Sequence, residues 1–143
     1  MIRFETGVHI DRPREDVFGV VSDPETYPRW NSAVRAVRAA VDGRGFTMER
    51  ELPSGRAENR LEVVSAIAPE EVVIRASEGP TPFTYRYRLS DAGGGTDLSL
   101  AAEVELELEG VPRLLEPLAG RAVRRGVEEN FSTLKSLLER LPA

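Results

Sequence analysis

Five polar side chains occupy positions where the alternation of a strand or the spacing of a helix predicts an apolar residue. Burying such a group without a partner is costly, and residues placed in this way often belong to functional sites. An arginine there can anchor a carboxylate, a phosphate or an enolate, and a tyrosine can donate a hydrogen bond to a carbonyl or phenolic oxygen. The five are Arg50, Asn59, Tyr85, Tyr87 and Glu116, and all except Asn59 are candidates for a catalytic role.

Arg50 also has an ordinary structural interpretation, in which it lies at the rim of a sheet and pairs with Glu116 or with water. A proton donor or acceptor inside a pocket could come only from Arg50, Tyr85, Tyr87 or Glu116. This is a small set for an enzyme. The catalytic and the structural interpretations therefore both stay open.

Several other chemistries are excluded or disfavoured by the sequence pattern. The chain has no cysteine, and its one histidine, His9, falls on the polar side of a predicted strand, which argues against a histidine triad or a metal site. Three consecutive glycines, 93–95, join two predicted strands and lack the strand-to-helix context of a phosphate-binding loop. Glu103 and the alternate glutamates after it form a solvated outer face. No metal and no cofactor are expected.

The composition predicts one globular domain spanning residues 1–143. A formal net charge of -5 argues against a nucleic-acid partner, because phosphate binding depends on clustered Lys and Arg. The densest basic group, Arg121, Arg124 and Arg125, is interpreted as a solvated helix face. The start of the chain does not resemble a signal peptide and no membrane-spanning segment is predicted, so we expect a cytoplasmic protein, either monomer or dimer.

Strands dominate the middle of the chain, and turn residues separate them. Residues 2–10 alternate between apolar and polar side chains, which is typical of a half-buried strand. The same reasoning predicts strands at 34–40, 46–52, 57–67, 71–77, 82–90 and 96–108. Because the connections are short, antiparallel pairing is favoured.

Helices are predicted on both sides of this run of strands. Asp11 to Pro13 begin a short helix, and a second helical turn ends near Trp30. From residue 110 apolar residues recur at three- and four-residue steps, which predicts one long amphipathic helix. From Pro117 to Arg140 it would span roughly 35 Å, enough to cross a sheet.

Two adjoining segments are similar to a known family. Residues 13–18 (PREDVF) and 23–31 (DPETYPRWN) resemble the opening of the polyketide cyclase/dehydrase branch of the lipid-transfer and birch-pollen-allergen superfamily. Residues 85–89, the 93–96 turn and 130–138 add weaker similarity. The resemblance covers nearly the whole chain. It implies an α+β helix-grip fold, in which a curved antiparallel sheet wraps around a long C-terminal helix, with two short helices after the first strand.

Such a fold implies a hollow between the sheet and the helix, and residue parity predicts its lining. Gly120 would leave room for a ligand or mark a kink beside Pro117. Glu116 would share its direction on the helix. The predicted ligand-binding residues are Trp30, Met48, Arg50, Asn59, Leu61, Val63, Phe83, Tyr85, Tyr87, Leu100, Ala102, Val104, Gly120, Val123, Val127 and Phe131.

Three functions agree with these features. The first is a protein that binds a small hydrophobic molecule, such as a lipid, a quinone or a polyketide-like compound. The second is a cyclase or dehydratase that folds a poly-β-ketone chain, with Arg50 and Tyr85 or Tyr87 stabilising an enolate. The third is an adaptor that contacts another protein through its outer surface, which predicts a filled interior.

Overall fold

A seven-stranded antiparallel sheet and one long helix make up most of the molecule. The computed structural model describes residues 1–52, 55–106 and 115–141. The strands are β1 (Ile2–Ile10), β2 (Val34–Ala39), β3 (Phe46–Leu52), β4 (Gly55–Ile67), β5 (Glu71–Ser77), β6 (Phe83–Ala92) and β7 (Gly95–Val104). The helices are α1 (Arg14–Val21), a 3₁₀ helix (Pro24–Arg29) and α2 (Glu116–Glu139).

The sheet order is β1-β7-β6-β5-β4-β3-β2, so all neighbours except β1 and β7 follow one another in the chain. Short turns account for this order, since antiparallel partners can be joined directly. The β6–β7 hairpin uses Gly93 and Gly94, whose φ angles of 60° and 86° suit a tight hairpin turn. Alternate residues of β7 are buried, and the others are exposed.

The first two helices connect one end of β1 to the opposite edge of the sheet. Two acidic residues in the first turn, Glu15 and Asp16, favour the start of α1 because the helix dipole is positive there. The 3₁₀ helix begins at Pro24, and the carboxylate of Asp23 accepts a hydrogen bond from the Glu25 amide at 3.1 Å. The chain then enters β2 on the far edge.

The C-terminal half of α2 is fixed to the end of β1. Leu134 and Leu138 are fully buried, and they belong to the same hydrophobic core as Ile10 and Val17. Lys135 Nζ donates to the His9 carbonyl at 2.7 Å, and Arg12 Nε donates to the Leu138 carbonyl at 3.0 Å. The N-terminal half has a different environment, which includes the candidate site.

The predicted architecture is confirmed, and the differences lie at element ends. We predicted the last strand at 96–108, whereas β7 ends at Val104, which pairs with Phe83 at the start of β6. Pro82 precedes Phe83 and has no N–H to continue the ladder. Residues 107 and 108 lie outside the described part of the chain. None of the helices in that part is long and apolar enough to cross a bilayer.

Candidate functional site

A cavity of about 460 Å³ lies between the concave side of the sheet and the N-terminal half of α2. Its volume is within the usual range for sites that bind small molecules, roughly 300–1,000 Å³. Its described lining comes from the sheet, from the segment around the 3₁₀ helix and from α2. The lining residues are Tyr27, Trp30, Asn31, Ser32, Ala33, Val34, Met48, Arg50, Glu51, Leu52, Ile74, Thr81, Phe83, Tyr85, Tyr87, Val104, Leu106, Ala119, Ala122, Val123, Gly126, Val127 and Asn130.

The cavity has a closed end and an open end. Tyr87, Ile74, Met48 and Trp30 are buried and form the closed, apolar end. Three lining residues from three separate segments are exposed and mark the mouth: Ser32, Glu51 and Ala122.

Many of the residues predicted to line a hollow do lie together on its wall. They are Trp30, Met48, Arg50, Phe83, Tyr85, Tyr87, Val104, Val123 and Val127. The strand residues among them share the inward parity, which is why alternation could indicate them. Their contact with a ligand remains a prediction.

Four predicted lining residues are core residues instead. Leu61, Leu100, Ala102 and Phe131 are each at most 2% exposed and are not among the residues that line the cavity. Inward parity says that a side chain faces the interior, but not whether a neighbour covers it. Phe131, for example, packs against Tyr87 with the ring centroids 6.3 Å apart.

Val63, Gly120 and Asn59 also lie away from the cavity wall. The β4–β5 register shifts between Val63 and Ser65, and Val63 packs at the margin of the core. Gly120 faces β1, since a Cβ there would lie 3.4 Å from Ile2 Cγ2. Its missing side chain therefore allows α2 to approach the sheet and does not widen the cavity.

The side chain of Glu116 lies outside the described part of the structure. Glu116 is the first residue of α2. The predicted pairing of Glu116 with Arg50, and any role for this carboxylate, stays a prediction.

Arg50 is held in the cavity wall by three neutral oxygen atoms. Its Nη1 donates to Asn59 Oδ1 at 3.1 Å, to the Pro80 carbonyl at 3.2 Å and to the Thr81 carbonyl at 3.2 Å. Only 9% of the residue is exposed, and the guanidinium carbon lies 5.5 Å from the centre of the Phe83 ring. Desolvation lowers the pKa of Arg50, but an arginine remains charged at neutral pH.

Asn59 supports Arg50 and does not line the cavity. Its Nδ2 donates to the carbonyls of Ser77 and Pro80, at 3.3 and 3.1 Å, while its Oδ1 accepts from Arg50. One buried amide therefore joins the arginine to the β5–β6 turn. Asn59 was a candidate because it is a polar residue at a strand position where alternation predicts an apolar one. In the structure, this residue orients Arg50.

The β5–β6 turn is shaped to present its carbonyl groups to Arg50. Gly79 lies so close to the Glu58 carbonyl and to Asn59 that a Cβ could not fit. Glu78 and Thr81 have φ angles of 52° and 51°, a left-handed conformation that is unfavourable for residues other than glycine. The turn thus carries local strain at the point where it contacts the arginine.

An aromatic strip on β6 forms the wall beside Arg50. The rings of Phe83 and Tyr85 stack with centroids 4.1 Å apart, and Tyr85 meets Tyr87 edge to face at 6.1 Å. Burial raises the pKa of Tyr85 to about 12, although the charge of Arg50 opposes this shift. Burial also raises the pKa of Tyr87. Both phenols are therefore protonated at neutral pH and can act as hydrogen-bond donors.

Part of the lining was not indicated by sequence patterns. The segment Asn31–Ala33 lies between elements, where no periodicity exists, and Ser32 N donates to Asn130 Oδ1 of α2 at 3.2 Å. On α2 the lining residues Ala119, Ala122 and Gly126 are small and recur at three- and four-residue steps. That series of small residues was the available signal, because it leaves space beside a helix.

Comparisons with known proteins agree with this architecture. The profile of the family described as polyketide cyclase / dehydrase and lipid transport matches residues 1–139. A comparison with curated proteins finds no match.

Solved structures give similar folds at low sequence identity. A START superfamily protein from Mycobacterium smegmatis is 19% identical with a TM-score of 0.83, over 99% of this chain and 100% of that one. A protein from Thermus thermophilus is 15% identical, with a TM-score of 0.77 and coverage of 95% and 96%. The di-domain ARO/CYC StfQ from the steffimycin biosynthetic pathway is 17% identical, with a TM-score of 0.73, over 96% of this chain and 50% of that one. At these identities the similarity is one of fold.

Proposed function

Because the chain belongs to the polyketide cyclase / dehydrase and lipid transport family, we propose that it binds a small, mostly apolar molecule in the cavity between sheet and α2. The family match agrees with the resemblance seen in residues 13–31. The observation that supports the proposal most strongly is the cavity itself, with its closed apolar end and its open mouth. A folded chain that leaves such a volume between sheet and helix gives up packing contacts that a filled core would have.

A few polar groups in an apolar wall are typical of small-molecule sites, where they orient the ligand. Here the described candidates are Arg50, Tyr85 and Tyr87. Aromatic and aliphatic side chains supply the rest of the closed end, so contact with apolar surface provides most of the binding free energy. The ligand class is thus a small hydrophobic compound such as a lipid, a quinone or a polyketide-like molecule.

Cyclisation or dehydration of a poly-β-ketone is a second candidate function. Arg50 and Tyr85 lie on one cavity wall, where a cation and a neutral phenol could stabilise an enolate. A proton acceptor is harder to identify. The carboxylate among the described lining residues is Glu51, which is exposed at the mouth and pairs with Arg35 at 3.0 Å. Binding alone therefore accounts for the site better than catalysis.

An adaptor with a filled interior is the weakest of the three hypotheses, because the interior holds a cavity. An adaptor could still use its outer surface, but such a role would leave the cavity without a purpose.

Native mass spectrometry of the purified protein, with a thermal-shift screen of lipids, quinones and aromatic polyketides, tests the proposal. A ligand that binds only the folded state at 100 times its Kd adds about 2.7 kcal/mol to the free energy of unfolding, which raises Tm by several degrees. We expect a co-purified mass or such a shift. Absence of both with every apolar class would contradict a binding function.

A further inference from the structure

Arg50 uses one of its three guanidinium nitrogens for structure and leaves the other two available. Nη1 makes all the hydrogen bonds that hold the side chain, to Asn59, Pro80 and Thr81. Nε and Nη2 donate to none of the described residues, and neither is a fully buried nitrogen without a partner. Both therefore keep contact with open space, and Arg50 lines the cavity.

The charge of Arg50 has no acidic partner among the described side chains within 4.0 Å. All three of its acceptors are neutral amide oxygens, and Glu51, the carboxylate among the described lining residues, pairs instead with Arg35 and Arg56. Burying a cation without a counter-charge is costly, and 91% of this residue's surface is removed from solvent, since only 9% is exposed. An anion at Nε and Nη2 would remove that imbalance.

The groups around these two nitrogens favour one kind of anion. Nε and Nη2 form the side of the guanidinium whose parallel N–H groups match the two oxygens of a carboxylate. Arg50 is the single cation among the described lining residues. A ligand group with one negative charge would therefore be balanced there, whereas a group with two would not. The neighbouring phenol of Tyr85 is a neutral donor that can add a hydrogen bond to the same group.

The position of Arg50 in the cavity sets the direction of the ligand. Arg50 pairs with Val34 across the β2–β3 ladder and is next to Glu51, which marks the mouth. Met48, one inward step further along β3, belongs to the closed apolar end together with Tyr87. A ligand with its charged group at Arg50 would place its apolar body toward Met48 and Tyr87.

We infer that the natural ligand is an apolar monocarboxylic acid bound as its anion, with its two oxygens on Nε and Nη2 of Arg50 and its apolar body in the closed end. This inference rests on the proposed function and adds the chemical class of the ligand. It assigns to Asn59 and the 78–81 turn the role of positioning Arg50 so that these two nitrogens face the cavity.

Matched pairs of ligands that differ only in the acidic group test the inference. We would measure the Kd of decanoate against decan-1-ol, and of naphthoate against naphthalenemethanol, near neutral pH by calorimetry. Charge-assisted hydrogen bonds predict that at least one acid binds about 10- to 100-fold tighter than its alcohol. Equal affinities would overturn the inference and leave the proposed function intact. No binding by any of the four compounds would overturn both.

Substitution of Arg50 tests whether this residue causes the preference for the acid over the alcohol. Arg50→Met should abolish the preference for the acid while the alcohol still binds, and Arg38→Met, on the exposed face of β2, should change neither affinity. Arg50→Lys keeps the charge but loses the paired N–H groups, so it should retain only part of the preference. If either Arg50 variant kept the full preference, the assignment of the carboxylate to Arg50 would be wrong. The comparison of ligands in the unmodified protein holds even if a variant fails to fold.

Discussion

Arg50, Tyr85 and Tyr87 are the residues on which the chemistry of the cavity depends. Arg50 supplies a fixed positive charge, and Tyr85 and Tyr87 supply neutral donors, because burial raises the pKa of both. Burial raises the pKa of Tyr27 as well, but its hydroxyl already donates to the Val21 carbonyl at 2.8 Å. A buried phenol favours its protonated form, since the phenolate would lose its hydration. The cavity therefore offers donors and a cation, a combination that suits an acceptor-rich or anionic ligand group.

These pKa shifts give a prediction for spectrophotometric titration. The chain has three tyrosines, and an ordinary tyrosine ionises near pH 10. We expect no change in phenolate absorbance through about pH 10, and ionisation only near pH 12 or on unfolding. Because the folded-state pKa values exceed the unfolded ones, stability is intact below pH 10 and falls as the pH rises toward the folded values. An ionisation step of one tyrosine near pH 10 in the folded protein would contradict this account.

Sequence parity identified Arg50 and Tyr85 because both stand on strands, where every second side chain shares a face. It could not separate the cavity wall from the core beneath it, as Leu61 and Leu100 demonstrate. That distinction depends on the distance between sheet and helix, which no strand pattern records. The role of Asn59 was also beyond reach, because it depends on a turn that is distant along the chain.

At the scale of elements, α2 has two halves with different tasks. Phe131, Leu134 and Leu138 bury its C-terminal half, whereas Ala119, Ala122 and Gly126 face the cavity. The sequence predicted one amphipathic helix and placed its cavity face by a regular spacing from Gly120. The actual face is rotated, because Gly120 lies against Ile2 of β1 and thereby turns the small residues toward the cavity. The helix could be predicted, but its rotation could not.

Gly126 allows a test of whether α2 is less stable than it could be because a glycine on its cavity side leaves space for a ligand. A Cβ at Gly126 would meet nothing within 4 Å, and the same holds for Gly19 in α1, away from the cavity. Gly126→Ala and Gly19→Ala should each raise the free energy of unfolding by about 0.5–1 kcal/mol, because alanine favours helix.

Larger side chains at the same two positions separate stability from binding. Gly126→Leu should lower the affinity for apolar ligands at least severalfold by filling the cavity, whereas Gly19→Leu should leave it unchanged. Thermal unfolding and ligand titration of the four variants measure both effects. Equal loss of affinity in Gly19→Leu and Gly126→Leu would show that leucine weakens binding through a general effect on the helices and not by filling the cavity.

The ion pair at the end of α2 gives a prediction in acid. Hydrogen bonds from Lys135 and from the Asp11 amide lower the pKa of Glu139 below its ordinary value of 4.5. A lowered folded-state pKa means that this contribution is complete above the unfolded pKa and is lost as the pH falls through the folded value. Glu139→Gln should lower Tm near neutral pH, and the difference from the unmodified protein should shrink below pH 4.5.

Glu129→Gln is the matched control for that experiment. Glu129 lies on the exposed side of the same helix and makes no ion pair within 4.0 Å with a described residue. Its Tm should follow the unmodified protein at every pH. A Tm difference for Glu139→Gln that stayed constant from neutral to acidic pH would exclude the carboxylate as the source of the effect.

At the scale of the whole molecule, α2 lies against β1 at both ends, at Ile2 near Gly120 and at His9 near Lys135, and the strand residues that line the cavity come from β2, β3, β5, β6 and β7. Lys135, Arg12 and the buried leucines fix α2 to the end of β1, and the Asn31–Ala33 segment joins the helix at Asn130. Sequence patterns predicted this arrangement of sheet and helix well, since each element has its own period. The mouth was not predicted, because Ser32, Glu51 and Ala122 come from three separate segments whose meeting no strand or helix period records.

Quenching of Trp30 fluorescence by a brominated apolar ligand tests the central claim most directly. Trp30 is the one tryptophan of the chain, lines the cavity and is only 4% exposed, so a bromine atom can contact it from inside the cavity. With a terminally brominated undecanol we predict saturable quenching that undecanol reverses and that Gly126→Leu weakens, while aqueous iodide quenches little. Absence of quenching, or quenching that rises linearly and that undecanol does not reverse, would contradict a ligand-binding cavity.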